Sequence, residues 1–251
     1  MTPGAQLSSH FVPETAITVT EFNQDFKTYM WVVAHPDDAE FSSAGTIHRL
    51  ACEGKDVIVI QVTSGDRGTS DETFTPETLG ATREREEREA SSRLGVKHLE
   101  FLHEGDGHVF PTVEFREKII RMIRTYRPDV IVTHDPFRPY ALHPDHRAVG
   151  ITTHDCVYPL ARDPLYYPEH REAGLDPHKT AEIWYFGSET PDVIIDITDH
   201  FEAKVHALMA HESQVGDGAN LAERMRERHE EVARDEPFAL GEAFKTVAMR
   251  R

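Results

Sequence analysis

Four short strand-like runs, each followed by a polar turn and then a helical stretch, restrict this chain to one class of fold. They are residues 31–34, 57–62, 98–102 and 130–133. The first, Trp31-Val32-Val33-Ala34, is wholly apolar, the pattern of a strand covered on both faces. Between the runs, Phe41, Ala44, Ile47, Leu50 and Ala51 recur at helical spacing, with Gly54 just past the end. Residues 77–94 read as a charge-rich helix closed by Gly95, its Arg/Glu run forming a solvated face with i,i+4 pairs. Phe115, Ile119, Met122, Ile123 and Tyr126 mark the apolar side of a helix over 113–126. Strands alternating with helices predict an α/β, Rossmann-like, mostly parallel sheet flanked by helices in a single domain over residues 1–251. Residues 1–26 read as an N-terminal arm or edge strand.

The later half is looser. Residues 162–177 are rich in Pro, Tyr and charge and read as a long loop over a site or at an interface. Short strands are expected over 183–186 and 193–197. Thr198 is placed to cap a helix over 199–211, and 221–234 read as a charged helix.

The first strand stops at His35-Pro36-Asp37-Asp38, because proline cannot donate to a sheet ladder. One imidazole and two carboxylates thus occupy a strand-to-helix turn, where open α/β sheets bind ligands. Carboxylate oxygens suit hard divalent ions, and zinc also takes imidazole nitrogen. His35 and Asp38 suit one ion, leaving Asp37 free as a base; an ordinary loop with a capping Asp is the bland alternative. The fourth strand ends at Thr133-His134-Asp135-Pro136, and His143-Pro144-Asp145-His146 then opens a helix. This repeats the first arrangement. His146 would complete a set with His35 and Asp38, and three protein ligands with an open position characterise catalytic zinc.

AHPDDAE (34–40) together with HPDH (143–146) resembles the LmbE/PIG-L family of zinc-dependent de-N-acetylases, which act on amino sugars and related N-acyl compounds. The likeness extends to Thr63-Ser64-Gly65-Asp66, to the helix of Arg83, Glu86, Ala90 and Leu94, to Phe101-Leu102 with Asp106, and to ALMAHESQ (207–214). It implies a Zn²⁺ cofactor on His35, Asp38 and His146, with Asp37 as general base. It implies that His143 stabilises an oxyanion or protonates the leaving group, with Asp145 holding that histidine charged and oriented. Arg67 and Asp106 fall near positions that hold the sugar, and Tyr140 resembles a tyrosine near the oxyanion. One more residue separates Tyr140 from His143 than the family spacing has, which sets Tyr140 apart from the firm set. The implied activity is hydrolysis of an N-acyl amino-sugar amide.

A net charge of −17 argues against partners with an anionic backbone or surface, so neither nucleic acid nor membrane is expected. No run is long enough to span a bilayer, and the start lacks a basic, then apolar leader pattern, which together predict a cytoplasmic enzyme. The two cysteines, Cys52 and Cys156, read as reduced core thiols, and most of the 16 histidines as exposed. A homo-oligomer is possible. Competing readings are an esterase or phosphoesterase using the same metal site, and a non-catalytic metal-dependent sugar-binding module. Asp37 argues against the module. A nucleotide-dependent oxidoreductase ranks last, because no Gly-x-Gly-x-x-Gly follows the first strand.

Overall fold

The run around Trp31 forms strand β2 (Thr28–Val33), buried from Tyr29 onward. Its alternate residues feed two cores. Tyr29, Trp31 and Val33 face one, and Met30, Val32 and Ala34 face the other. This explains why the run carries no polar residue. The computed structural model describes residues 17–19, 22–23, 25–140 and 143–249. Of the N-terminal stretch, residues 17–19 form an edge strand, β1 (Ile17–Val19); residues 1–16 lie outside those described, as do Ala141 and Leu142.

The chain continues as α1 (Asp38–Cys52), β3 (Asp56–Thr63), α2 (Pro76–Leu94), β4 (His98–Glu104), α3 (Val113–Tyr126), β5 (Val130–His134) and α4 (Pro144–Asp155). Then come α5 (Glu169–Glu172), β6 (Glu182–Phe186), β7 (Val193–Asp196), α6 (Phe201–Leu208), α7 (Glu212–Val215), α8 (Leu221–Val232) and β8 (Gly241–Ala248). The sheet order is β1-β7-β8-β6-β5-β2-β3-β4, parallel except for β8, which runs antiparallel to both neighbours. The α/β, mostly parallel sheet flanked by helices is therefore as expected. The chain moves from β2 outward through β3 and β4, then returns to place β5 on the other side of β2. That reversal is a topological switch point, and it opens a crevice at the carboxyl ends of β2 and β5. In-register pairing of Val32 with Thr133 brings His134 to the same end of the sheet as His35. Helices α1, α2, α6 and α8 supply the core on one face of the sheet, α3 and α4 that on the other. Among the described residues no helix is long and apolar enough to cross a membrane.

Several expectations need correcting. Arg83, Glu86 and Glu87 of α2 are buried, because α6 and α7 pack on that face. Arg88–Glu84 and Arg93–Glu89 are the expected i,i+4 pairs on its solvent side. Thr198 does not cap an α-helix; its hydroxyl donates to Asp196 Oδ1 and accepts from the backbone of Ala239 and Leu240. The helix expected over 199–211 is a 3-10 turn (Thr198–His200) followed by α6, which stops at Leu208, and His211 is buried between α6 and α7. Residues 162–177 pack on α3. The Arg124 guanidinium donates to the carbonyls of Ala161, Asp163, Tyr166 and Tyr167, and His170 bonds Glu117. Strand β8 had no counterpart in the sequence reading. Cys52 is exposed, while Cys156 is buried as expected. His35, His134, His170, His211 and His229 are buried rather than exposed.

Helix α1 presses close to the chain after β7 at Gly45, where a Cβ would stand 2.7 Å from Ile197 Cβ. Gly45→Ala is expected to cost about 1–3 kcal/mol as an overpacked contact. The check is a lower denaturant midpoint with an unchanged slope.

Candidate active site

The turn after β2 is built by its own side chains. The His35 backbone N–H donates to Asp38 Oδ2 (2.7 Å), and Asp38 N–H donates back to the His35 carbonyl (3.2 Å). Between them Asp37 takes φ +97°, a left-handed conformation costing about 1–3 kcal/mol for a residue with a side chain. Two residues of α2 hold it there. Arg83 Nη2 donates to the Pro36 carbonyl (2.5 Å) and to Asp37 Oδ2 (3.2 Å), while Asp37 N–H donates to Glu87 Oε2 (3.3 Å). Behind Glu87 lie Glu40 and His211, both buried; His211 Nε2 is 3.5 Å from Glu40 and 3.9 Å from Glu87.

His35, Asp38 and His146 converge. His35 Nδ1 is 3.2 Å from His146 Nε2 and 3.4 Å from Asp38 Oδ2, and His146 Nε2 is 3.2 Å from Asp38 Oδ1. Tetrahedral zinc with bonds of about 2.0–2.1 Å has ligand-to-ligand edges near 3.3 Å. The two imidazole nitrogens and the Asp38 carboxylate, which turns one oxygen to each, therefore suit one divalent ion. The far side of the His35 ring, Nε2, meets Asp106 Oδ1 and Asp145 Oδ2, each at 3.2 Å. A carboxylate on the remote nitrogen is the usual way a ligating histidine is oriented. Asp145 thus sits on His35, whereas its Oδ2 is 4.0 Å from His143; it also accepts from the backbone of Gly107 (2.7 Å) and Val109 (3.3 Å). The neighbour expected for Asp145 from sequence was His143.

The charge balance asks for a cation. Burial alone would lower the His35 pKa, but Asp106, Asp145 and Asp38 carry it to about 11. Burial would raise Asp38, yet His134, His146 and His35 hold it well below the usual range. Asp37 is pushed up to about 7, first by burial and then by the adjacent Asp38, against the opposing charge of Arg83.

His143 is the N-cap residue of α4, and its Nδ1 accepts from the Asp145 backbone N–H (3.3 Å). That bond puts the ring proton on Nε2. Burial, then His35 and His146, lower its pKa. The neutral ring, an Nε2–H donor, is thereby favoured, 4.6 Å from the His35 ring centroid. Arg67 joins the site through its backbone, donating N–H to Asp106 Oδ2 (3.0 Å), while its side chain is 59 % exposed. Asp106 faces inward to His35. Tyr140 is 95 % exposed and stands apart from the buried cluster.

Sequence reasoning gave His134, Arg83, Glu87 and His211 no role in the site. His134 Nε2 is 3.3 Å from Asp38 Oδ2 and accepts from the Ala34 N–H (3.2 Å), and its ring stacks on His146 at 4.1 Å. Burial lowers its pKa to about 4, so the ring is neutral and packs flat on His146 beside Asp38. Its place in the Thr-His-Asp-Pro strand end was the available signal. A cavity of about 150 Å³ opens beside Asp38, His134 and His146, walled by Phe41, Phe186, Arg138 and Arg228.

Comparison with known proteins adds four findings. The family model described as GlcNAc-PI de-N-acetylase (PIG-L) matches residues 30–157. A diacetylchitobiose deacetylase of Thermococcus kodakarensis is 35% identical over 196 residues, covering 78% of this chain and 73% of the relative. A 1D-myo-inositol 2-acetamido-2-deoxy-alpha-D-glucopyranoside deacetylase of Mycobacteroides abscessus is 31% identical over 239 residues, covering 77% and 84%. In structure, the N,N'-diacetylchitobiose deacetylase of Pyrococcus horikoshii, solved with an inhibitor, superposes with a TM-score of 0.84 at 30% identity, covering 89% of this chain and 85% of its own.

Proposed function

The chain belongs to the GlcNAc-PI de-N-acetylase (PIG-L/LmbE) family, and on that premise we propose that it is a zinc-dependent amidohydrolase removing the acetyl group from an N-acetyl amino sugar. The observation that carries this reading is the His35–Asp38–His146 triangle with Asp37 beside it, bonded to Arg83 instead of to the triangle. His35, Asp38 and His146 would hold the ion, which when bound polarises the amide carbonyl and acidifies water. Asp37 takes the proton from the attacking water. Its carboxylate, near neutrality in the metal-free cluster, also returns that proton to the departing amine. His143 donates from Nε2 to the developing oxyanion, a contact typically worth about 3–4 kcal/mol. Asp145 and Asp106 fix the tautomer of His35, so that Nδ1 presents its lone pair. Products are acetate and a free amine. The names of the relatives support the substrate class: one acts on a chitobiose, another on a glucosaminyl-inositol.

The test is metal content of the purified protein beside amine release from N-acetylglucosamine, diacetylchitobiose and an N-acetylglucosaminyl-inositol. About one zinc per chain and amine from at least one compound is the expected result. Asp38→Ala should reduce bound metal by more than tenfold, because Asp38 contributes the anionic donor of the three. A wild-type protein that takes up no zinc at equimolar supply would overturn the reading, as would full metal content in Asp38→Ala.

A further inference from the structure

A second group of metal-ligating side chains lies at the opposite end of α1 from the site above. His48 and Cys52 are one helical turn apart on the last turns of α1, and His200 reaches them from the 3-10 turn (Thr198–His200) that precedes α6. Cys52 Sγ is 3.6 Å from His48 Nε2, and His48 Nδ1 is 3.0 Å from His200 Nδ1. One donor atom from each of the three lies within 4.8 Å of the others. A rise of 1.5 Å per residue puts them roughly 15–20 Å from Asp38, too far to share its ion.

We propose that His48, Cys52 and His200 form a second, surface site for a divalent transition-metal ion of the zinc class, separate from the candidate active site. The donor chemistry selects the ion. A thiol and two imidazoles suit zinc, cobalt or copper and discriminate against magnesium and calcium, which require oxygen. Tetrahedral zinc with N and S ligands has edges of about 3.3–3.6 Å; Cys52 now meets His48 Nε2 and His200 meets His48 Nδ1, so one ion requires the His48 ring to present a single nitrogen to both, within the 4.8 Å that already spans the three donors. Side-chain rotation brings the three donors together, because Cys52 is exposed and both imidazoles are only half-buried. Burial lowers the pKa of both His48 and His200, so their lone pairs are available at neutral pH. Among neighbouring charges, Asp199 and Glu53 favour a cation and Arg49 opposes it. Three protein ligands leave a fourth position for water. An ion there would clamp the end of α1 to the start of α6, two helices that pack together in the core. The cysteine that sequence alone placed in the core thus becomes a ligand, through an i,i+4 His/Cys pair whose third member is 148 residues downstream (200 − 52).

Cobalt titration of the full-length protein tests this independently of any hydrolytic activity. The candidate active site contains no thiol, so a thiolate-to-cobalt charge-transfer band can arise only from Cys52 or from Cys156, which is fully buried. The expected result is a near-ultraviolet band that saturates at one Co²⁺ per chain beyond any ion in the active site. Cys52→Ser should abolish it, and His200→Ala and His48→Ala should each weaken cobalt binding at least tenfold. Asp38→Ala should leave it in place, and Cys52→Ser should retain wild-type amine release. A variant-free check is alkylation of Cys52, which one equivalent of Zn²⁺ should slow at least tenfold. No band at saturating Co²⁺, a band unchanged in His200→Ala, or an alkylation rate indifferent to Zn²⁺ would each overturn the site.

Discussion

Asp37→Asn is expected to lower kcat by about 10²–10⁴-fold, the usual contribution of a positioned general base, while zinc content stays at the wild-type level. The substitution is clean for a structural reason. Asp37 sits at φ +97°, and asparagine tolerates the left-handed region at least as well as aspartate. An amide oxygen can also still accept from Arg83 Nη2, so the turn keeps its clamp. Asp37→Ala would confound chemistry with backbone strain. Metal is retained because the triangle is formed by His35, Asp38 and His146. The pH profile supplies a second readout. A base works only when deprotonated, so activity is present above its pKa and lost below it. Asp37 lies near 7 without an ion, raised by burial and by Asp38. A dication beside it lowers that value, which puts the acid limb of the loaded enzyme below pH 7. That limb should be missing from the residual activity of Asp37→Asn. Near-normal turnover in the variant would remove Asp37 from the base role.

The positions that sequence made legible are those where chemistry and backbone break together. His35 to Asp38 ends an apolar strand and His143 to His146 opens a helix; each sets a proline after a histidine and gathers donors within four residues, so local pattern alone marks them. The two turns meet because β2 and β5 are neighbours at the switch point, a relation that the βαβ alternation implies. What the sequence hid depends on packing between distant elements. Arg83 and Glu87 sit in a stretch of Arg and Glu whose composition reads as solvent-facing. They become buried because α6 and α7 cover α2, and the sequence of α2 says nothing of that cover. His134 has no spaced partner in its own strand; its role exists only beside Asp38. Strand β8 carries charged Glu242 and Lys245 and lacks a continuous apolar run, since it fits between β6 and β7 with polar partners on both faces.

Glu242 leads to the largest expected effect on stability. Helix α1 is kinked at Ser43, where φ −151° breaks the ladder between the turn bearing Asp38 and the rest of the helix. A break frees backbone groups in the core, and each needs a partner. The Glu242 carboxylate accepts from Gly45 N–H (3.1 Å) and from Thr46 N–H and Oγ1 (2.8 and 2.6 Å). Lys204 Nζ donates to the carbonyls of Glu40 (2.8 Å) and Phe41 (3.1 Å). The two charges meet at 2.8 Å with both side chains fully buried. Glu242→Ala removes three acceptor contacts and leaves a buried ammonium without its counter-ion, which should destabilise by about 3–5 kcal/mol. The double variant Lys204→Met/Glu242→Met separates two accounts of this pair. A buried ion pair acting only as a pair is often replaced by apolar residues with little loss. Here the double variant should remain at least about 2 kcal/mol less stable than wild type, because the amides and carbonyls at the kink stay buried and unpaired. Denaturant unfolding of the three proteins measures this, and a double variant as stable as wild type would show that the kink does not depend on the pair. If the kink does depend on it, zinc affinity should fall in the double variant as well, since Asp38 begins the short arm of α1 that Lys204 holds in place.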